Sequence, residues 1–180
     1  MQLQSATADD QEVSLAEEEF IVSKTDTKGR IIYVNRTFMR ISGFSESELL
    51  GKPHNVIRHS DMPRAVFRVM WNTLQQGEEF FGYVKNRCKN GGYYWVFANV
   101  TPVHSISNEL IGYYSVRRQP TRSAINKVIP LYQSMCEIEQ RYSGQQAIDA
   151  SLKYFQGEMD KRHTDYLSLI LSIENQEPTS

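Results

Sequence analysis

This sequence has few cysteines, little net charge and no long apolar stretch, and each shortage excludes a class of protein. The two cysteines, Cys88 and Cys136, lie far apart and form no CxxC pair, which favours reduced structural thiols over a disulfide framework. A formal net charge of -1 argues against nucleic acid as a partner. No apolar run approaches the roughly 20 residues that span a bilayer, and the N-terminus is polar and acidic. We therefore expect a cytoplasmic protein without a membrane span.

Motifs for catalysis and metal binding are missing as well. The sequence contains no Gly-rich phosphate loop, no GxSxG elbow and no cysteine placed beside a histidine, so we expect a protein that is not an enzyme. His54 and His59 are five residues apart and Asp61 follows two later, which matches no common metal-ligand spacing. We therefore expect no bound metal.

The hydrophobic pattern predicts an α+β domain over residues 18–118, preceded by a flexible lead-in over 1–17. Two short β-rich runs, 19–24 and 30–34, flank a turn, and three longer ones follow Gly77. Between these two groups the pattern predicts two short helices and one longer helix, which begins after Pro63 and ends near Gly77. This order predicts a five-stranded antiparallel sheet with short helices on one face.

Residues 119–180 show no strand pattern and predict a C-terminal helical region of two helices, with a break near Ser143 and Gly144. In the second helix, apolar residues and one histidine recur at steps of three or four, which indicates a near-heptad seam. The seam consists of Ile148, Leu152, Phe155, Met159, His163, Tyr166, Ile170 and Ile173. Such a seam favours a homodimer formed through these helices, or a partner protein bound to them.

The segment PHNVIRHSDMP, residues 53–63, concentrates polar and titratable groups between two prolines. Cationic donors at His54, Arg58 and His59 suit an anionic ligand group, and arginine can bind phosphate through two hydrogen bonds. Asp61 and Asn86 add hydrogen-bonding groups that suit a heterocycle. Aromatic residues that can wall a flat ring are Trp71, Phe80, Tyr94 and Trp95. The alternative is structural, with histidines that cap helices and an ion pair between Arg58 and Asp61.

The order of strands and helices resembles a PAS domain, and the residues sharpen this resemblance. PHNVIRH, DMP, VKNR, KNG and YWV occur in the order typical of the PAS sensor of bacterial aerotaxis receptors, over roughly residues 19–118. That family holds FAD non-covalently and reads cellular redox state or oxygen through it. Its FAD-binding groups match Asn35, Arg58, His59, Asp61, Trp71 and Asn86 here. Two positions depart from the family pattern, because Ser60 replaces a frequent proline and Phe80 replaces a frequent tryptophan.

The resemblance implies an FAD-binding redox or oxygen sensor that changes conformation with the redox state of its flavin. A rotating amide at Asn86 is the expected switch, and the expected partner is a signalling protein of the chemoreceptor or histidine kinase type. The beginning of the chain and its EPTS end favour a stand-alone protein over an excised input domain.

Other function classes stay open at this point. They are a cofactor-free PAS module for protein interaction, a haem sensor with His59 or His104 as axial ligand, and a phosphotransfer protein with His163 as acceptor. A photoreactive blue-light sensor is disfavoured, because the short-helix region has no cysteine.

Overall fold

The computed structural model of the protein describes residues 11–175 and has one antiparallel sheet of five strands at its centre. The strands are β1 (Ile21–Thr25), β2 (Ile31–Val34), β3 (Phe80–Arg87), β4 (Tyr93–His104) and β5 (Leu110–Arg118). Their order across the sheet is β2-β1-β5-β4-β3, so the last strand pairs with the first. The predicted α+β class and five-stranded antiparallel sheet are confirmed.

Short helices connect β2 to β3 and cover one face of the sheet, here called the inner face. They are α1 (Arg36–Ser42), α2 (Glu46–Leu49), a 3-10 turn (His54–Ile57) and α3 (Arg64–Gln75). The helix α1 ends at Gly43, whose φ of 73° is a left-handed conformation that glycine adopts without strain. Phe38 and Leu49 from these helices pack with Ile21 and Val96 from the sheet in one apolar cluster. This cluster fills part of the inner face, and a cavity occupies the space beside it beneath α3.

The C-terminal helices cover part of the opposite face, here called the outer face. They are α4 (Arg122–Gln140), α5 (Gly144–Lys161) and α6 (Tyr166–Asn175). The Tyr132 hydroxyl donates to the carbonyl of Tyr83 over 2.9 Å, and its ring lies 6.4 Å from that of Trp95. Tyr83 and Trp95 are buried beneath these helices. The C-terminal helices therefore belong to the packed body of the protein.

The predicted pair of C-terminal helices is wrong in number, because the second helix breaks between Lys161 and Tyr166. His163 has a φ of 49° at this break, and Asp165 immediately precedes α6 and caps it, since its carboxylate accepts from the amide of Ser168 over 2.8 Å. The near-heptad seam is therefore not one continuous stripe. Its members Phe155 and Ile170 are buried in this chain's own core.

The lead-in is also more ordered than predicted over the part that the structure describes. Glu12 forms a parallel bridge with Tyr93, and Leu15 is buried against the cluster beneath α1. The expectation of a flexible segment is thus wrong from residue 11 onwards, and residues 1–10 lie outside the described residues. Among the helices between residues 11 and 175, none is long and apolar enough to cross a membrane.

Candidate functional site

A cavity of about 320 Å³ lies between the inner face of the sheet, the 3-10 turn and α3. This volume falls at the lower end of the roughly 300–1,000 Å³ typical of small-molecule sites. Its lining residues are Ser23, Thr25, Lys28, Gly29, Pro53, His54, Asn55, Arg58, Phe67, Met70, Trp71, Leu74, Phe80, Val84, Asn86, Ala98, Val100, Tyr113, Ser115 and Arg117. The strand residues in this list are alternate positions, because every second residue of a strand faces the same side of the sheet.

The apolar wall of the cavity comes mainly from α3 and the strands below it. Trp71 meets the ring of Tyr113 edge-on, with centroids 5.3 Å apart, and its far edge approaches the backbone of Gly29. A Cβ at Gly29 would lie 3.2 Å from the Trp71 ring, so the turn between β1 and β2 closes tightly on this side. Phe80 is fully buried and stacks on Tyr166 of α6, with centroids 5.6 Å apart. Flat aromatic surfaces therefore bound the cavity on two sides.

A group of buried hydrogen bonds joins β1, β5 and the 3-10 turn at the polar part of the cavity. The Nη2 of Arg117 donates to Nε2 of His54 over 2.8 Å and to the Ser23 hydroxyl over 3.1 Å. Burial, together with the Arg117 charge, lowers the pKa of His54 from 6.5 to about 3. His54 is therefore a neutral acceptor at its Nε2, and the expectation that it offers a positive charge is wrong.

Three buried polar side chains in the cavity lining keep an atom without a hydrogen-bond partner among residues 11–175. These atoms are Nδ2 of Asn86, Oγ of Ser115 and Nη1 of Arg117. Asn86 is only 3% exposed and Arg117 only 5%. Buried polar atoms normally have partners, and each orphan costs roughly 1–3 kcal/mol. The arrangement is that of a site prepared for a polar ligand.

Arg58 lies at the junction between this cavity and a cleft on the surface. Its Nη2 donates to the carbonyl of Met62 over 2.7 Å, and its guanidinium lies 5.0 Å from the centre of the Phe67 ring. Partial burial lowers the pKa of Arg58, an effect that the nearby Glu139 carboxylate opposes. The cleft also contains His59, and its lining residues are Asn55, Arg58, His59, Ser60, Arg87, Cys88, Lys89 and Gly91. Arg58 thus faces both spaces.

Three of the predicted polar site residues, Asn35, His59 and Asp61, do not line the cavity, and neither does the aromatic candidate Tyr94. The Oδ1 of Asn35 accepts from the amides of Phe38 and Val22, and its Nδ2 donates to the carbonyl of Phe20, so Asn35 fastens α1 to β1. His59 lies in the surface cleft. Asp61 is 59% exposed at its side chain.

Asp61 pairs with Lys85, at 2.7 Å from its Nζ, and the ammonium of Lys85 lies over the Tyr93 ring. The alternative ion pair between Arg58 and Asp61 is therefore wrong, because Lys85 occupies the Asp61 carboxylate. The predicted residues that do come together around the cavity are His54, Arg58, Trp71, Phe80 and Asn86.

Sequence reasoning missed the contribution of β5. Tyr113, Ser115 and Arg117 all face the cavity, while Tyr114 and Arg118 alternate with them on the outer face. The signal was available in the run YYSVRR, since every second residue of a strand faces the same side. Once it is known which alternate residues of β5 face the inner side of the sheet, Arg117 is assigned to the cavity.

The positions of three histidines and one tryptophan exclude roles that the sequence had suggested for them. Neither His59 nor His104 lines the cavity, which removes both as axial ligands for a haem bound there. His163 occupies the turn before α6 and not a helix face. Trp95 lies on the outer face against Tyr132, so it cannot wall a ligand in the cavity. No cluster of three or more potential metal ligands occurs within residues 11–175.

Comparison with known proteins identifies the fold. A family model described as PAS fold matches residues 31–117. Those residues form a PAS domain. The light-state structure of the blue-light photoreceptor Aureochrome1 LOV superimposes with a TM-score of 0.55, over 66% of this chain and 93% of that one. At 17% identity this structural likeness shows the fold alone.

Two curated relatives indicate which kind of PAS domain this is. The aerotaxis receptor of Escherichia coli (strain K12) is 44% identical over 125 residues, or 69% of this chain and 24% of the receptor. The nitrogen fixation regulatory protein of Klebsiella oxytoca is 35% identical over 97 residues, or 54% of this chain and 20% of the relative. The resemblance to the PAS sensor of aerotaxis receptors is confirmed. The chain spans about a quarter or less of the length of either relative.

The residues present in the PAS cavity fit a flavin ring. The walls offer aromatic faces at Trp71 and Phe80, and the orphaned atoms of Asn86, Ser115 and Arg117 offer donors and an acceptor to a heterocycle. Arg58, at the mouth of the surface cleft, suits the phosphates of a cofactor that extends outwards. A ring that is apolar on its faces and polar along one edge uses both kinds of wall at once.

Proposed function

We propose that this PAS sensor domain binds FAD non-covalently and reports the redox state of that cofactor to a signalling partner. The proposal rests on one observation above all, which is that buried polar atoms of Asn86, Ser115 and Arg117 face a cavity without partners. The 44% identity to the aerotaxis receptor of Escherichia coli supports a sensory role of this kind. The chain's role is binding and switching, with no catalytic step of its own.

In this proposal each group of cavity residues has one task. Trp71 and Phe80 exclude water from the ring faces, while Asn86 and Ser115 hold its polar edge. Arg58 holds a phosphate group towards the surface cleft. FAD is preferred over FMN because the second half of a dinucleotide can occupy that cleft, where Arg87 supplies further positive charge. When bound, the flavin supplies reversible uptake of electrons and a proton at its ring nitrogens.

The proposed switch is the side-chain amide of Asn86. An amide has a donor at one end and an acceptor at the other, so rotation exchanges the two without other movement. Its Nδ2 makes no well-formed hydrogen bond among residues 11–175, and the hydroxyl of Tyr94, opposite it on β4, is the polar group that interacts with this side chain. A change of hydrogen-bonding character beside Asn86 therefore favours one of two amide orientations.

Contacts between the cavity wall and the C-terminal helices support a route for the signal. Phe80 lines the cavity and stacks on Tyr166, whose hydroxyl also donates to the carbonyl of Phe81 over 2.8 Å. A second route runs through β5, where Arg117 faces the cavity and the next residue, Arg118, forms an ion pair with Glu174 of α6. Both routes end at α6, so we propose that α6 changes its packing with the redox state.

The experiment that tests the switch compares Asn86→Ala with the unchanged protein, both loaded with FAD. Hydrogen exchange of α6 is measured in the oxidised state and after reduction with dithionite. We expect exchange in α6 to change on reduction in the unchanged protein and to stay constant in the variant. Equal redox responses in the two proteins would exclude Asn86 as the switch. Asn55→Ala serves as the control, because Asn55 also lines the cavity but is itself exposed to solvent.

The alternative of a cofactor-free interaction module leaves the buried polar atoms unexplained. An empty cavity would keep the Arg117 guanidinium and the Asn86 amide unsatisfied without any return in binding. The expected homodimer stays a prediction, but the seam no longer supports it since Phe155 and Ile170 pack inside one chain. Light scattering on the purified protein tests the dimer. A cytoplasmic location likewise stays a prediction.

A further inference from the structure

Arg117 is a buried cation that has no anion beside it. It lies on β5, is 5% exposed, and takes part in none of the ion pairs formed among residues 11–175. Its hydrogen bonds go to two neutral groups, the Ser23 hydroxyl and the unprotonated Nε2 of His54. Phe38 offers only a ring face, 5.6 Å from the guanidinium carbon. The positive charge is therefore held in the interior without compensation.

The free end of this guanidinium belongs to the cavity. Arg117 lines the cavity, and its Nη1 is buried with no hydrogen-bond partner among the described residues. Ser115 lies two residues before it on the same face of β5 and has an unpaired hydroxyl. Asn86 lines the same cavity with its unpaired amide nitrogen. A hydroxyl, an amide and a guanidinium therefore leave three donor groups for one ligand.

A buried charge of this kind is expensive to maintain. Desolvation of an ionised group costs several kcal/mol, and an apolar side chain of similar volume in its place is often neutral or stabilising. The same burial lowers the pKa of Arg117 to about 10, which still leaves it charged at neutral pH. A protein stabilised only by packing has no use for this arrangement. A ligand with negative charge inside the cavity would compensate the buried charge and so explain the arrangement.

We propose that Arg117 is the counter-charge for the reduced flavin ring and thereby sets the redox potential at which the sensor responds. This inference rests on the flavin binding proposed above and adds the residue that controls the redox potential of the bound flavin. The oxidised ring is neutral, and two electrons with one proton convert it to a reduced ring with one negative charge. In the test below, dithionite supplies the electrons and solvent supplies the proton. Arg117 binds the reduced form more tightly than the oxidised form, because only the reduced form carries the charge.

The test measures the affinity of the apoprotein for oxidised FAD and, without air, for dithionite-reduced FAD. The variant Arg117→Met removes the charge and keeps an unbranched side chain. We expect its affinity for reduced FAD to fall at least ten-fold further than its affinity for oxidised FAD. A ten-fold change in this ratio lowers the two-electron midpoint potential by about 30 mV. Arg117→Lys keeps the charge and is expected to keep most of the ratio.

The matched control is Lys24→Met, which removes the same charge from the solvent side of the sheet. Lys24 lies on β1 between two cavity residues, Ser23 and Thr25, but its ammonium packs over the rings of Tyr33 and Tyr114 on the outer face. We expect its affinity ratio to stay within two-fold of the unchanged protein. An equal shift in Lys24→Met would mean that net charge acts from any position, and the role of Arg117 would be refuted.

Thermal melting of the apoproteins separates a ligand-binding role from a structural one. We expect apo Arg117→Met to melt no lower than the unchanged apoprotein, because the variant no longer buries an unpaired charge. A variant that fails to fold, or that melts lower without ligand, would show that Arg117 serves structure and would overturn the proposal. Equal losses for both FAD forms, or no loss, would overturn it too. Failure of the unchanged protein to bind FAD in either form would instead refute the proposed function itself.

Discussion

Replacing Glu139 by alanine tests how the C-terminal helices hold the cavity wall in place. Glu139 lies near the end of α4 and is only 8% exposed. Its carboxylate accepts from the backbone amides of Arg64 and Ala65 at 3.0 and 2.9 Å, and from Nε of Arg64 at 3.1 Å. These amides begin α3, where Pro63 provides no side-chain cap. The carboxylate of one helix thus caps another.

The size of the effect follows from these three contacts. Loss of an N-terminal cap costs roughly 0.5–2 kcal/mol. The two capping bonds go to a charged group, for which hydrogen bonds contribute about 1.5–3 kcal/mol each, so the loss lies above the usual range for a cap, and the Arg64 ion pair adds little because its side chain is 38% exposed. We expect Glu139→Ala to lower the free energy of unfolding by about 3 kcal/mol, given the cap and charged hydrogen-bond values. At about 2–4 °C per kcal/mol for a chain of this size, the melting temperature falls by roughly 6–12 °C.

Urea unfolding followed by fluorescence, alongside a thermal melt, measures this change. Glu137→Ala is the matched control, since Glu137 has an exposed side chain on the same helix. Because α3 supplies Phe67, Met70, Trp71 and Leu74 to the cavity, flavin affinity should weaken in Glu139→Ala as well. A Glu139→Ala protein within about 1 kcal/mol of the Glu137→Ala control would contradict the capping argument, because a surface substitution alone stays within about 0.5 kcal/mol.

Two further substitutions probe one residue beside the cavity wall, Gly82, and one in the wall itself, His54. In Gly82→Ala the new Cβ would lie 2.6 Å from the Phe80 ring and 2.8 Å from the Tyr166 hydroxyl, so we expect a loss of roughly 1–3 kcal/mol by urea unfolding and weaker flavin binding. An unchanged melt would mean that Phe80 moves freely. The pKa of His54 is lowered from 6.5 to about 3, so the unfolded chain binds more protons and stability falls as pH drops below 6.5. Between pH 7 and 5.5 this loss in the free energy of unfolding reaches at most about 1.4 kcal/mol per pH unit, and His54→Gln should reduce it. If the free energy of unfolding depends on pH equally in the variant and the unchanged protein, His54 is not the source of the loss.

The sequence predicted those elements whose signals are local. The helix α3 shows a clear apolar stripe after Pro63, and the hairpin between β3 and β4 has a strong turn signal, so both were predicted closely. The break before α6 was missed, because apolar steps of three and four continue across it. Asp165 was the overlooked signal, because aspartate is a preferred residue immediately before a helix, where its carboxylate accepts from backbone amides of the first turn.

Knowledge of the site required the sheet register as well as residue types. Trp71 and Asn86 were identified from chemistry and family resemblance, and both line the cavity. Asn35 was predicted for the site, but its amide is occupied in joining α1 to β1. Arg117 was missed because two adjacent arginines look alike in a sequence and only the pairing of β5 with β1 separates their faces. Only the structure shows that Arg117 is buried without an anionic partner, which is what points to a role in ligand binding.

The most direct test of the account is the identity of any chromophore that the protein retains. The protein is purified from an aerobic culture, its ultraviolet–visible spectrum is recorded before and after dithionite, and released compounds are identified after denaturation. We predict a flavin spectrum that bleaches on reduction, with FAD as the released compound. A colourless protein that also refuses added FAD would contradict the account, and the buried atoms of Asn86, Ser115 and Arg117 would then belong to a site for another polar ligand.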